Sequence, residues 1–175
     1  ELAGNVLVAS GAHVTFEPGV TVFGSSASSR LVIKGDLTAV SEAASTPITF
    51  TSVKKKASPG DWGFIKFSKG STGHLRNVIV EYGGDDDADN NNSGINSASV
   101  IVESSPALED LTVRHSADNS EGYNVNSSAA CLMLRSDAAP SVSGVKFESC
   151  PGYGLYSVSS RRIKVSDLEF GNLSK

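Results

Sequence analysis

Phe64-Ile-Lys-Phe67, Val100-Ile-Val-Glu103, Leu132-Met-Leu-Arg135 and Leu155-Tyr-Ser-Val158 align on one another. About ten residues after each comes a polar pivot and a second apolar segment: Asn77-Val-Ile-Val80, Asp110-Leu-Thr-Val113, Gly144-Val-Lys-Phe147 and Asp167-Leu-Glu-Phe170. A unit that recurs without being identical marks a solenoid, in which each turn buries its apolar side chains only by stacking on the next. The amino-terminal half obeys the same grammar. Val6-Leu-Val8, Val14-Thr-Phe16 and Val20-Thr-Val-Phe23 form one coil. Leu31-Val-Ile33, Leu37-Thr-Ala-Val40 and Ile48-Thr-Phe50 form the next.

The runs are short, rich in β-branched and aromatic residues, and broken by Gly, Pro, Asn, Asp and Ser, which is the pattern of strands joined by turns. No window carries an amphipathic helix with caps at both ends. The spacing between first strands varies: 25 residues from Val6 to Leu31, 36 from Phe64 to Val100, 32 from Val100 to Leu132 and 23 from Leu132 to Leu155. The shortest fits a bare coil of three strands and three turns, so the longer ones imply insertions. Gly83 to Asn96 and Ser116 to Ser128 follow a second strand at the same point of the repeat, and Val53 to Gly60 carries the run Lys54-Lys-Lys56. Insertions at an equivalent position project from one side of a solenoid, often its binding side. The expectation is one domain over 1–175, all-β, of about six coils, with a rod roughly 30 Å long at ~4.8 Å per strand spacing.

Glu17-Pro-Gly-Val-Thr-Val-Phe23, Leu31-Val-Ile-Lys-Gly-Asp-Leu37, Pro47-Ile-Thr-Phe-Thr-Ser52 and Gly60-Asp-Trp-Gly-Phe-Ile-Lys-Phe67 resemble right-handed parallel β-helix repeat proteins. The resemblance covers nearly the whole chain and implies a right-handed parallel β-helix. It also implies a secreted or cell-surface setting. It names no reaction, because the family spans pectate-lyase-like enzymes, adhesins and structural domains, and the matching motifs are turn and core residues. No catalytic residue is carried over.

Composition narrows the partners. The 175 residues carry a formal net charge of −4 with acids and bases mixed, and no basic patch interleaved with aromatics, which argues against nucleic acid. No apolar run approaches the ~18 residues of a membrane helix, so membrane insertion is not expected. A start at Glu1 fits a processed mature chain or an excised segment. Cys131 and Cys150 fit a disulfide outside the cell or two buried thiols. Asn91, Asn126 and Asn172 head N-x-S/T sequons.

Several residues are candidates for chemistry. Asp85, Asp87, Asp89 and Asn91 alternate in an acidic loop and supply oxygen ligands for Ca2+, although the loop lacks the glycine and glutamate of an EF-hand. Otherwise the loop is a solvated insertion and the protein needs no cofactor. Trp62 is either a core residue or a platform for stacking a sugar. Glu81, Arg114 and Glu148 recur at matching positions with alternating sign. So do Lys66, Glu103 and Arg135, with Lys34 at the analogous place. Such alternation suits ion pairs between neighbouring coils. A polysaccharide lyase groove would instead use these cations to neutralise a uronate and take its α-proton. An inverting hydrolase would need two carboxyls about 6.5–9.5 Å apart, drawn from Asp110 with Glu81 or Glu103. His13, His74 and His115 share no ligand spacing.

The residues favour an extracellular structural or surface-display module that meets further protein, or copies of itself, through its end coils. A carbohydrate-binding module or adhesin is the next reading, and a lyase or glycoside hydrolase the third.

Overall fold

A computed structural model describes residues 1–84, 98–117 and 129–171. The chain winds in successive turns, each laying strands on up to three faces. The first turn holds β1 (Asn5–Val8), β2 (His13–Phe16) and β3 (Thr21–Gly24), and the second β4 (Arg30–Ile33), β5 (Asp36–Val40) and β6 (Ile48–Ser52). Next come β7 (Ile65–Phe67) with the long β8 (Thr72–Glu81), then β9 (Ala98–Val102) with β10 (Ala107–Arg114). The chain finishes with β11 (Ala130–Leu134), β12 (Ser141–Ser143) and β13 (Lys146–Glu148), followed by β14 (Tyr153–Ser157), β15 (Lys164–Ser166) and β16 (Glu169–Phe170). Every strand pair is parallel, and the first face is a six-stranded sheet ordered β1-β4-β7-β9-β11-β14. The architecture is a parallel β-helix, with no helix among the described residues.

Inward side chains stack in columns. Val6, Leu31, Ile65, Val100, Leu132 and Leu155 lie above one another on the first face, and Val22, Phe50, Val80, Val113, Phe147 and Phe170 on the third. The interior members of both columns are fully buried, and each such Leu, Ile, Val or Phe contributes about 1.5–3 kcal/mol by leaving water. Phe16 meets Phe50 edge-on at 5.4 Å, and Phe147 stacks with Phe170 at 5.3 Å.

The structure corrects one register. Val100 pairs with Ile65, not with Phe64. The period of two in a strand explains the shift: Ile65 and Phe67 must both point inward, which turns Phe64 and Lys66 to the outer face.

The polar pivots are bends in left-handed backbone. Asn77, Asp110 and Asp167 have φ of 52°, 47° and 53°, and Gly144 has 63°. β8 shows their purpose: Thr72–Arg76 pairs with β5, and Val78–Val80 with β6, so Asn77 turns one strand across two faces. Asn and Asp tolerate this region and β-branched residues do not.

Gly84 and Ala117, the last described residues before 85–97 and 118–128, lie at one corner, where the third face turns back to the first. The Gly84 amide donates to Gly63 O at 2.6 Å, and in the next turn the Ala117 amide donates to Gly83 O at 2.8 Å. The 53–60 loop starts from the same corner after β6, and its Lys54 ammonium is anchored 2.6 Å from Asp61. Asp110→Val is therefore expected to lower unfolding free energy by about 1–2 kcal/mol relative to Asp110→Gly, measured by urea denaturation; equal midpoints would contradict the pivot role.

Candidate functional site

The first face is apolar on both sides. β9 and β11 are buried along their full length, as parallel strands covered on both faces are. Their outward residues Ala98, Ile101, Ala130 and Met133 join Phe64 in a second apolar cluster, flanked by Val32 and Tyr156. Beside it runs an open groove of about 350 Å³ along the outer face of the turns. Leu7, Val32, Phe64 and Ile101 give it an apolar wall, and Arg30, Lys34, Lys66 and Arg135 give it four cations.

Strand register places those cations. Lys34, Ser68, Glu103 and Arg135 occupy one row, each following its strand's last inward residue. Lys66 sits two positions earlier on the same outer face and reaches diagonally to Glu103, 3.0 Å away. Arg30 lies over the Phe64 ring at 5.3 Å, and its Nε is buried without an acceptor among the described residues. The ring quadrupole attracts the guanidinium in a cation–π contact. Arg135 packs its Nε 2.9 Å from Met133 Sδ.

The second charge ladder sits on the third face, away from the groove. Arg114 grips Glu81 through Nε and Nη2, both at 2.7 Å, and faces Glu148 at 3.7 Å. Lys146 extends the ladder to Glu148 at 3.0 Å and Glu169 at 3.2 Å. These ions pair with one another, within a turn for Lys146 with Glu148 and between turns for the rest. Asp110 lies four strand positions from the row of Arg114 and Glu81, roughly 13 Å of strand. Glu103 is on another face. The carboxyls considered for an inverting hydrolase are thus not brought together.

Trp62 is not a sugar platform. Its side chain is 0% exposed, and its Nε1 donates to Glu81 O at 2.8 Å. Gly24 and Gly83 leave room for the ring, since a Cβ on either would press into it. A buried indole presents no face to a ligand, so Trp62 fills the corner of the core.

Cys131 and Cys150 are joined as a disulfide, with Cα atoms 5.6 Å apart. The bridge occupies the place that Ser99 and Ser116 hold one turn earlier, where their hydroxyls meet at 2.6 Å. Asp85, Asp87, Asp89 and Asn91, the expected calcium ligands, lie outside the described residues. So do the sequon asparagines Asn91, Asn126 and Asn172.

Sequence reasoning found Lys34, Lys66, Glu103 and Arg135 but missed Arg30 and the apolar wall. The available signal was the lack of alternation in Val100-Ile-Val102 and Leu132-Met-Leu134, which marks a strand covered on both sides.

A family model described as a pectate-lyase-like beta helix domain matches residues 1–95, more than half of the chain. The protein belongs to that family. No curated protein and no solved structure matches the chain. Membership of the pectate-lyase-like β-helix family agrees with the parallel turns and leaves the activity open, since one scaffold carries many functions.

Two carboxyls of this β-helix domain contribute to its acid stability. Burial pushes the Asp61 carboxyl up, but hydrogen bonds from Lys54, from Ser52 at 2.7 Å and from the Ser58 amide at 2.9 Å outweigh it and hold it below the usual carboxylate range. The hydrogen bond from Lys146, against a smaller effect of burial, likewise holds Glu148 low, with Arg114 adding to the shift. Both groups ionise more readily folded than unfolded. Their contribution is complete above the ordinary carboxylate range near pH ~4 and is lost as pH falls below it. Asp61→Asn should cost about 1–3 kcal/mol at neutral pH and flatten the acid limb of a melting-temperature profile. An unchanged profile would count against this assignment.

Proposed function

We propose that this β-helix is an extracellular display module that binds an acidic polysaccharide along its first face. The observation that carries the reading is the groove: four cations against an apolar wall, in a protein whose net charge is −4. Cations gathered on one face of an acidic protein select an anion by local field, not by overall charge. The apolar wall suits the hydrophobic face of a sugar ring, and Arg30 over Phe64 suits a uronate carboxylate.

The groove follows the axis of the helix, crossing strands of successive turns, so its natural ligand is a linear chain. Binding is favoured over cleavage because Glu103, the carboxylate beside the groove, is engaged by Lys66. An extracellular setting is supported by the family, whose domains are often extracellular, and by the disulfide.

Calorimetry with polygalacturonate or alginate oligomers should show salt-sensitive binding, with a neutral glucan of equal length inert. Lys34→Ala and Lys66→Ala should each weaken binding about three- to tenfold, as loss of one charge-assisted contact in an open groove does. Equal affinity for the neutral glucan would sink the proposal. Growth of ultraviolet-absorbing unsaturated product would replace binding by lyase chemistry on the same cations.

A further inference from the structure

The charges of the groove are not spread evenly along it. Arg30 opens β4 and Lys34 directly follows it, whereas Lys66 on β7 is drawn diagonally to Glu103, which directly follows β9. In the row that starts at Lys34, Ser68 comes next and Glu103 after it, two strand spacings or about 9.6 Å along the axis. The groove thus passes from two cations beside β4 to a stretch where a carboxylate stands against the ammonium. The Lys66 and Glu103 side chains are 22% and 19% exposed, covered enough that salt screens them only partly from each other.

On the reading of this groove as a site for acidic polysaccharide, on which the inference rests, we propose that Glu103 is its specificity-determining residue. It favours chains whose carboxylates are interrupted by neutral units over chains charged at every unit. A uronate over β4 meets Arg30 and Lys34. A uronate two strand spacings further on meets Glu103, and the two carboxylates must then share the Lys66 ammonium, an arrangement that like charge disfavours.

A neutral sugar in that place has the opposite effect. Its hydroxyls donate to the lone pairs of Glu103 that Lys66 leaves open, since an ionised carboxylate accepts at about four sites. Phe64 and Ile101 continue the apolar wall there, which suits a ring without charge. Stacking of the core fixes this order: Ile65 pairs with Val100, so Lys66 stands one turn before Glu103.

The test is calorimetry on the full chain with alginate oligomers of one length, either with every carboxylate free or partly methyl-esterified. The quantity read is the ratio of the two affinities. Glu103→Gln should raise the preference for the fully charged oligomer about threefold or more, by removing one like charge from the groove. Glu103→Ala should do the same. Glu109→Gln changes net charge equally from the second face, where Glu109 lies beside Arg76, and should leave the ratio as it is. A smaller rise with both Glu103 variants overturns the proposal, while salt-sensitive binding of both oligomers would still uphold the acidic-polysaccharide reading. An equal rise with Glu109→Gln also overturns it, since net charge and not place would then govern. If neither oligomer outbinds a neutral glucan, that reading fails and the selection by Glu103 falls with it.

Discussion

No turn of this protein can bury its own side chains. A single turn is a ring of short strands with an apolar interior, and only the rings above and below keep water out. The columns from Leu31 to Leu132 and from Phe50 to Phe147 are therefore the interaction on which everything else rests. They fix register, because a slip of one residue would turn every inward side chain outward. Register then decides which charges meet. Arg114 lies between Glu81 and Glu148 because Val113 lies between Val80 and Phe147. The ion pairs follow the core, and exposed pairs of this kind are worth too little to dictate it.

The corner between the third and first faces is where stacking alone is insufficient. The chain turns there from the third face of one turn to the first face of the next. Consecutive turns solve this with different chemistry. Trp62 fills the space beside Gly24 and Gly83, Ser52 and Lys54 clasp Asp61, Ser99 meets Ser116, and Cys131 is bonded to Cys150. Hydroxyl pair and disulfide occupy equivalent positions one turn apart. The covalent version stands one turn after the hydroxyl pair. A crosslink of this kind stabilises mainly by restricting the unfolded chain.

Much of this was legible in the residues. The repeat predicted parallel stacked strands because apolar triplets recurred with polar pivots between them. Asn77, Asp110, Gly144 and Asp167 are the bends those pivots implied. Glu81, Arg114 and Glu148 were recognisable as a ladder because matched positions with opposite sign need only register to become pairs. What eluded the sequence depended on facing. Phe64 and Ile65 are both apolar, so composition alone did not tell which pointed inward. Trp62 offered an aromatic face to any ligand on paper, and the structure spends that face on the core. Arg30 carries no repeat signature, and its place over Phe64 exists only once two turns are stacked.

The same stacking that defines the core also gives the groove its direction. Outward residues of the first face form rows along the axis: Leu7, Val32, Lys66, Ile101, Met133 and Tyr156 lie in one. A row of this kind lengthens by one residue for each turn added, and it has no natural stop. A ligand that exploits it is best matched when it too is a linear repeat. Leu7 is the first described member of the row and Tyr156 the last. The inward columns and the cationic groove are then two consequences of one geometry. The columns bury one another because the turns stack, and the groove runs along the axis because the turns repeat.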